Sequence, residues 1–196
     1  DVGSRHPSLA TLPLMLAHAL AVREGTSCSV GSEVPTPCLP GSYAAAAEMG
    51  TCDLCSGGEF QDAYGATACK ACTSGNYCPS GASAALPCLA GSYSTASDNE
   101  AAADCAACPV GSSCATGSTT HSLCAPGTYT DEQSQGTCAS CAAGSFQDDG
   151  GKTACKACNG GYYCAEGAAA ALPCPGGTHM NASLSVMTGV EQCVVC

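Results

Sequence analysis

The sequence predicts a small disulfide-rich repeat array. The expected form is an elongated rod of short β-hairpin and loop modules with little regular secondary structure, preceded by one N-terminal helix. Three observations predict it. A cysteine followed three residues later by glycine, with an aromatic two residues further on, starts over and over along the chain. Cysteine accounts for 20 of the 196 residues, far above ordinary usage and typical of a disulfide scaffold. Leu, Val and Phe total 23, with no Ile, and only nine of them lie between Cys38 and Cys174. Nine such side chains cannot fill a globular core over that length, and small domains without a core rely on covalent staples or metal.

The starts are Cys38, Cys55, Cys72, Cys88, Cys108, Cys124, Cys141, Cys158 and Cys174, spaced 17, 17, 16, 20, 16, 17, 17 and 16 residues apart. Seven keep the aromatic; Ser113 and His179 stand in its place in the other two. A fixed period of this kind means an array of small modules. A longer period is superimposed: Cys38–Cys88 aligns with Cys124–Cys174 without a gap, with 29 of 51 positions identical. The stretch between them, residues 88–124, is a shortened copy. The expected organisation is therefore an N-terminal segment (1–27), a first block (28–88), the short block (88–124), a second block (124–174) and the start of a further, truncated module (175–196).

Within each module the glycine should form a turn, because it tolerates positive φ. A short strand carrying the aromatic follows, and the chain returns to a closing cysteine. The modules are too short for helices. The alanine runs at Ala44–Ala47, Ala101–Ala103 and Ala168–Ala171 read as loop, since each lies within a few residues of Gly, Pro or Cys. Position along the chain predicts serial pairing. A start is answered 14 to 19 residues later in Cys38–Cys52, Cys55–Cys69, Cys88–Cys105, Cys124–Cys138, Cys141–Cys155 and Cys174–Cys193. In three modules the closer comes after six residues: Cys72–Cys78, Cys108–Cys114 and Cys158–Cys164. Crossed pairs, Cys52–Cys69 with Cys55–Cys72 and Cys138–Cys155 with Cys141–Cys158, are the rival scheme. They would force tight C-x-x-C bonds at Cys105–Cys108 and Cys193–Cys196. Serial pairing leaves Cys28, whose expected partner position is Val22, and Cys196, which sits at a tenth start. Both read as sites of inter-subunit pairing or as marks of an array cut at each end.

The N-terminal segment differs in kind. Leu12, Met15, Leu16, Ala19 and Leu20 follow the stripe of an amphipathic helix over about residues 11–24, capped by Thr11, with Pro13 in its first turn and Gly25 at its end. A secretory signal peptide is the bland alternative, with basic Arg5, the apolar run and A-L-A at residues 19–21. As a retained helix, its apolar face (Leu12, Met15, Leu16, Leu20) marks an assembly contact.

Five basic residues stand against sixteen acidic ones, a net charge of −11, which argues against nucleic-acid binding. No apolar run reaches the length needed to span a bilayer directly. Cys52, Cys55, Cys69 and Cys72 are spaced like a zinc ribbon, as are Cys138 to Cys158, but the same cysteine rhythm continues on either side with no ligand role. No metal, cofactor or catalytic residue is therefore expected. His6, His18, His121 and His179 are isolated in sequence. The acid pairs Asp131–Glu132 and Asp148–Asp149 read as solvated turns before calcium sites. The aromatics read as packing over neighbouring disulfides, with a sugar-binding ladder as the second reading. Asn181-Ala182-Ser183 is an N-glycosylation sequon.

The C-x-x-G-x-Y starts, the C-x-x-C joints and the G-Y-Y-C variant at Gly161–Cys164 resemble the ephrin-receptor-like cysteine-rich repeats, which in turn look like the first modules of tumour necrosis factor receptors. The resemblance covers Cys28 to Cys196. It implies an extracellular or cell-surface protein, because such repeats occur in receptor ectodomains and in large surface proteins of algae and other protists, flagellar hairs (mastigonemes) among them. The expected role is structural, not enzymatic: a stapled rod in an extracellular filament or coat, assembling with copies of itself and carrying glycans. A receptor-type ligand-binding ectodomain is the alternative.

Overall fold

Sixteen glycines adopt positive φ, and those of the module starts initiate the fold. Each allows a tight turn that sends two residues into a short strand. In the Cys38 module, Ser42–Tyr43 pairs antiparallel with Asp53–Leu54. The second strand is thus the pair of residues inside the C-x-x-C joint. Its far cysteine, Cys55, then donates its backbone N–H to the carbonyl of Gly41 at 3.0 Å and closes the hairpin. The computed structural model describes residues 23–32 and 34–196, and these form ten two-stranded antiparallel hairpins of this kind. The expected N-terminal helix, with Leu12, Met15, Leu16 and Leu20, lies outside the described residues, save for Arg23 and Glu24. Those two residues lead into the first hairpin, which pairs Thr26–Ser27 with Thr36–Pro37 across the boundary expected after residue 27. At the other end, Thr178–His179 pairs with Val194–Val195, a complete hairpin.

The alanine runs are loop with one exception. Ala102–Asp104 is a single 3₁₀ turn, where the Asp104 carboxylate accepts the backbone N–H groups of Glu100 and Ala101 at 2.9 Å. The carboxylate holds the turn.

The modules stack by a repeated hydrogen-bond register. The start glycine of one module donates its N–H to the carbonyl six residues after the next start. Gly58 reaches Cys78 at 2.8 Å, Gly111 reaches Thr130 at 2.8 Å and Gly127 reaches Gln147 at 2.7 Å. A second bond returns from the loop of each later module to the preceding start cysteine, as in Gly151 to Cys124 and Gly167 to Cys141, both 2.8 Å. The same loops touch the module two places back. A Cβ built on Gly127 would lie 2.2 Å from the Gly167 carbonyl oxygen, and one on Gly111 would lie 2.4 Å from that of Gly151. Each module therefore contacts its next and next-but-one neighbours, the short-range connectivity of a repeat array.

The buried interior is mostly sulfur. Cys38, Cys55, Cys72, Cys88, Cys108, Cys124, Cys141 and Cys158 are buried, as are the early closers Cys78, Cys114 and Cys164. In the modules that start at Cys38 through Cys158, the position six residues after the start faces this interior. Where it is not a cysteine it is Ala44, or a polar side chain whose hydrogen bonds order the loop. Gln147 donates through Nε2 to the Ala154 carbonyl at 2.7 Å and accepts at Oε1 from the Asp149 N–H at 3.1 Å. Gln61 does the same with Ala68 and Ala63. These glutamines act as non-covalent closers. Gln147→Ala removes the two hydrogen bonds of a buried side chain, each of which contributes about 1 kcal/mol, and should lower the midpoint in denaturant unfolding.

Candidate functional site

Nine disulfides join the cysteines serially: Cys38–Cys52, Cys55–Cys69, Cys72–Cys78, Cys88–Cys105, Cys108–Cys114, Cys124–Cys138, Cys141–Cys155, Cys158–Cys164 and Cys174–Cys193. The two cysteines of each internal C-x-x-C joint belong to different bonds and face different modules. The four zinc-ribbon-like cysteines at 52, 55, 69 and 72 accordingly lie in three disulfides, Cys55 and Cys69 with each other and the outer two with Cys38 and Cys78, and a sulfur in a disulfide is not a thiolate ligand.

Cys28 and Cys196 are unpaired. Cys28 occupies an early-closer position in the first hairpin: Gly25, with φ 78°, is its turn glycine and accepts the Cys38 N–H at 2.9 Å. The residue six places before Cys28 is Val22, so the module lacks its start sulfur. Cys196 is exposed and closes the last hairpin by donating its N–H to the Gly177 carbonyl at 3.0 Å. Its Sγ lies 3.9 Å from Nδ1 of His179. Sequence spacing had left that histidine isolated. The hairpin register brings the two together, because the first-strand residue His179 faces Val194, two residues before Cys196.

The other candidates disperse over the surface. Phe60 packs on the Cys72–Cys78 disulfide and Ala82. Lys70 lies over the Phe60 ring at 5.8 Å and Lys156 over Phe146 at 6.0 Å. Tyr93 meets His121 edge-on at 5.5 Å. The aromatics thus face neighbouring modules, while Tyr64 and Tyr162 are exposed. Asp148 accepts from Lys156, and Asp149 lies 3.4 Å from Lys152, so lysines face this acid pair. Asp131 and Glu132 are exposed in a polar turn. Among the described residues no three His, Cys, Asp or Glu side chains converge as a metal site. At the first two modules an apolar cleft of about 470 Å³ is lined by Pro37, Leu39, Pro40 and Leu54, among others, with no charged side chain.

Lys156 donating to the Asp148 carboxylate holds that carboxyl below its ordinary range, and Asp148 in turn raises Lys156. Lys70 lowers Asp62 in the same way. A depressed carboxyl contributes stability above its unfolded pKa and loses it as pH falls through the folded value. Both pairs are exposed and screened by solvent, so the contribution is small. Lys156→Ala should move the Asp148 titration upward in an NMR pH series while leaving the unfolding midpoint nearly unchanged.

Residues 127–163 match the model of a family described as tyrosine-protein kinase ephrin type A/B receptor-like. The match runs from the start glycine of the Cys124 module to the aromatic of the Cys158 module, 37 of 196 residues, and takes in the complete Cys141–Cys155 staple. No curated protein matches the chain. The ephrin-receptor-like stretch has the same hairpins and register as the modules around it, so the cysteine-rich repeat extends along the described array. Its disulfide content and its likeness to an extracellular domain family together point to an extracellular, disulfide-rich protein. Among the described residues no helix is long and apolar enough to cross a membrane.

Proposed function

We propose that this chain is a structural, non-enzymatic subunit of an extracellular filament or cell-surface coat of the mastigoneme type. It assembles with its own copies through the apolar residues Leu12, Met15, Leu16 and Leu20 and through the ends of its array. The observation that carries this reading is the repeated joint. Backbone donors and glycine faces stack module on module, disulfides staple each module internally, and the cysteines outside those staples are Cys28 and Cys196. A module array stapled in this way transmits load along its length without needing a core. Cys28 stands at a closer position with Val22 six residues before it, and Cys196 stands at a start position. A disulfide between Cys196 of one copy and Cys28 of another would complete the first hairpin in the same pattern as Cys72–Cys78. Non-reducing electrophoresis of the secreted protein should show a ladder of multiples that collapses on reduction, and negative-stain images should show filaments. A single monomer band with dispersed particles would reject the reading.

The subunit should also carry an N-glycan at Asn181. That residue sits at the head of a turn in which Leu184 donates to its carbonyl at 3.0 Å. Its Oδ1 accepts the Ser183 N–H at 3.0 Å, while Ala182 and Ser183 are exposed.

One observation favours the second reading, a ligand-binding ectodomain. Leu39 and Leu54, 64% and 66% exposed, flank the uncharged cleft, whereas the aligned positions of the second block hold Ala125 and Ser140. Saturable binding of an apolar ligand, abolished by Leu39→Ser with Leu54→Ser while particles stay dispersed, would support that reading over the first.

A further inference from the structure

Where the blocks Cys38–Cys88 and Cys124–Cys174 differ, the changes fall singly or in pairs, with one exception. Thr130-Asp131-Glu132-Gln133-Ser134-Gln135 stands where the first block has Ala44-Ala45-Ala46-Ala47-Glu48-Met49, an unbroken run of six. The backbone of the two loops is nonetheless the same. Ser134 and Glu48 are both left-handed, with φ 60° and 65°. The Thr130 carbonyl accepts the Gly111 N–H at 2.8 Å, as that of Ala44 accepts the Gly25 N–H at 2.9 Å. The Gln135 carbonyl accepts the Cys114 N–H at 3.0 Å, as that of Met49 accepts the Cys28 N–H at 2.9 Å. The frame therefore uses these residues through their backbone and leaves their side chains free to take on another task.

In the second block those side chains line a small polar pocket of about 130 Å³, formed by Tyr129, Thr130, Asp131, Glu132, Gln135 and Thr137, among others. Gln135 donates through Nε2 to Glu132 Oε2 at 3.2 Å, which leaves its own Oε1 as an acceptor. Thr130 Oγ1 donates to the Glu132 carbonyl at 2.9 Å, and the Ser134 N–H donates to the Cys108 carbonyl at 2.8 Å, so the loop is fixed before anything binds. The ion pairs among the described residues belong to Lys70, Lys152 and Lys156, and none of them reaches Asp131 or Glu132. Asp148 and Asp149, by contrast, are faced by lysines.

We propose that this pocket binds a primary alkylammonium group, as presented by a lysine side chain of a partner chain or by a free aliphatic amine. Two carboxylates without a cation supply the charge, Gln135 Oε1 a further acceptor, and the Tyr129 ring a π-face for the ammonium and its carbon chain. Anions are repelled by the same carboxylates. A metal ion lacks ligands, since no three His, Cys, Asp or Glu side chains converge among the described residues. The pocket lies inside the array, between the Cys108 and Cys141 modules, and the proposal stands without the filament reading.

The test uses the whole chain and follows the backbone amide shifts of residues 129–135 by NMR. The probes are n-butylammonium chloride and an end-blocked Gly-Lys-Gly peptide, each compared with sodium chloride at equal ionic strength. Saturable shifts are expected with both. A peptide that binds at least about tenfold more tightly identifies a protein lysine as the source, and an amine that binds as tightly or more identifies a free amine. Asp131→Asn with Glu132→Gln removes the charge and keeps the shape. Thr130→Ala, Asp131→Ala, Glu132→Ala and Gln135→Met together install the first block's residues on a frame that already carries them, which protects the fold. Each variant should bind the probes at least about tenfold more weakly. The absence of saturable shifts, equal shifts from uncharged n-butanol, or undiminished binding by the Asn/Gln variant would overturn the proposal.

Discussion

Gly127→Ala should unfold the joint between the Cys124, Cys141 and Cys158 modules, whereas Gly161→Ala should be tolerated. Both glycines adopt left-handed φ, 85° and 86°, and an L-residue there costs about 1–2 kcal/mol. The difference lies in what a methyl group meets. At Gly127 it would lie 2.2 Å from the Gly167 carbonyl oxygen and 3.1 Å from its carbon, and backbone cannot rotate aside as a side chain can. At Gly161 nothing lies within 4 Å. Relieving the Gly127 clash pushes the loop away and threatens the bonds from Gly127 to Gln147 and from Gly167 to Cys141, each of which contributes about 1 kcal/mol. The total for Gly127→Ala is about 3–4 kcal/mol. Hydrogen exchange should show the loss confined to those three modules, because contacts reach two places along the array. Equal destabilisation by the two substitutions would mean that left-handed strain alone sets the cost and that next-but-one packing adds nothing.

Removing the Cys141–Cys155 staple, with both cysteines changed to serine, should cost about 3 kcal/mol in the chain-entropy model, since the loop it closes spans 14 positions. Removing Cys158–Cys164, with a separation of six, should cost about 2 kcal/mol by the same model. A globular protein would spread either loss through a shared core. Here no core compensates, so the affected hairpin should lose amide protection while modules three or more places away keep theirs. Global loss of protection on removing one staple would contradict the array description.

The start motif was legible because three constraints coincide in it: a sulfur, a left-handed turn and a ring spaced by strand geometry. Serial pairing followed from the same spacing, and the hairpin fold from modules too short for helix. What spacing could not show is the use made of the position six residues after each start. Gln61, Gln147, Ser94 and Thr130 are buried there, yet as isolated letters they look like ordinary surface polar residues. Aligned on their starts they share a column with Cys78, Cys114 and Cys164, and that alignment was the signal available. The left-handed loop residues Glu48 and Ser134 carried no glycine to announce them. His179 and Cys196 are 17 residues apart, and only the strand register brings them together. The apolar cleft was equally hidden, because Leu39 lies just before the start turn and Leu54 in the second strand of the same hairpin, and only the fold brings them together.

The central claim is that sulfur, paired start to closer, takes the place of an apolar interior. Proteolysis of the unreduced protein followed by mass spectrometry of the linked peptides tests it most directly. The account predicts nine serial pairs, from Cys38–Cys52 through Cys174–Cys193. Crossed links such as Cys52–Cys69 with Cys55–Cys72, a C-x-x-C bond at Cys105–Cys108, or free sulfhydryls at these eighteen positions would contradict it.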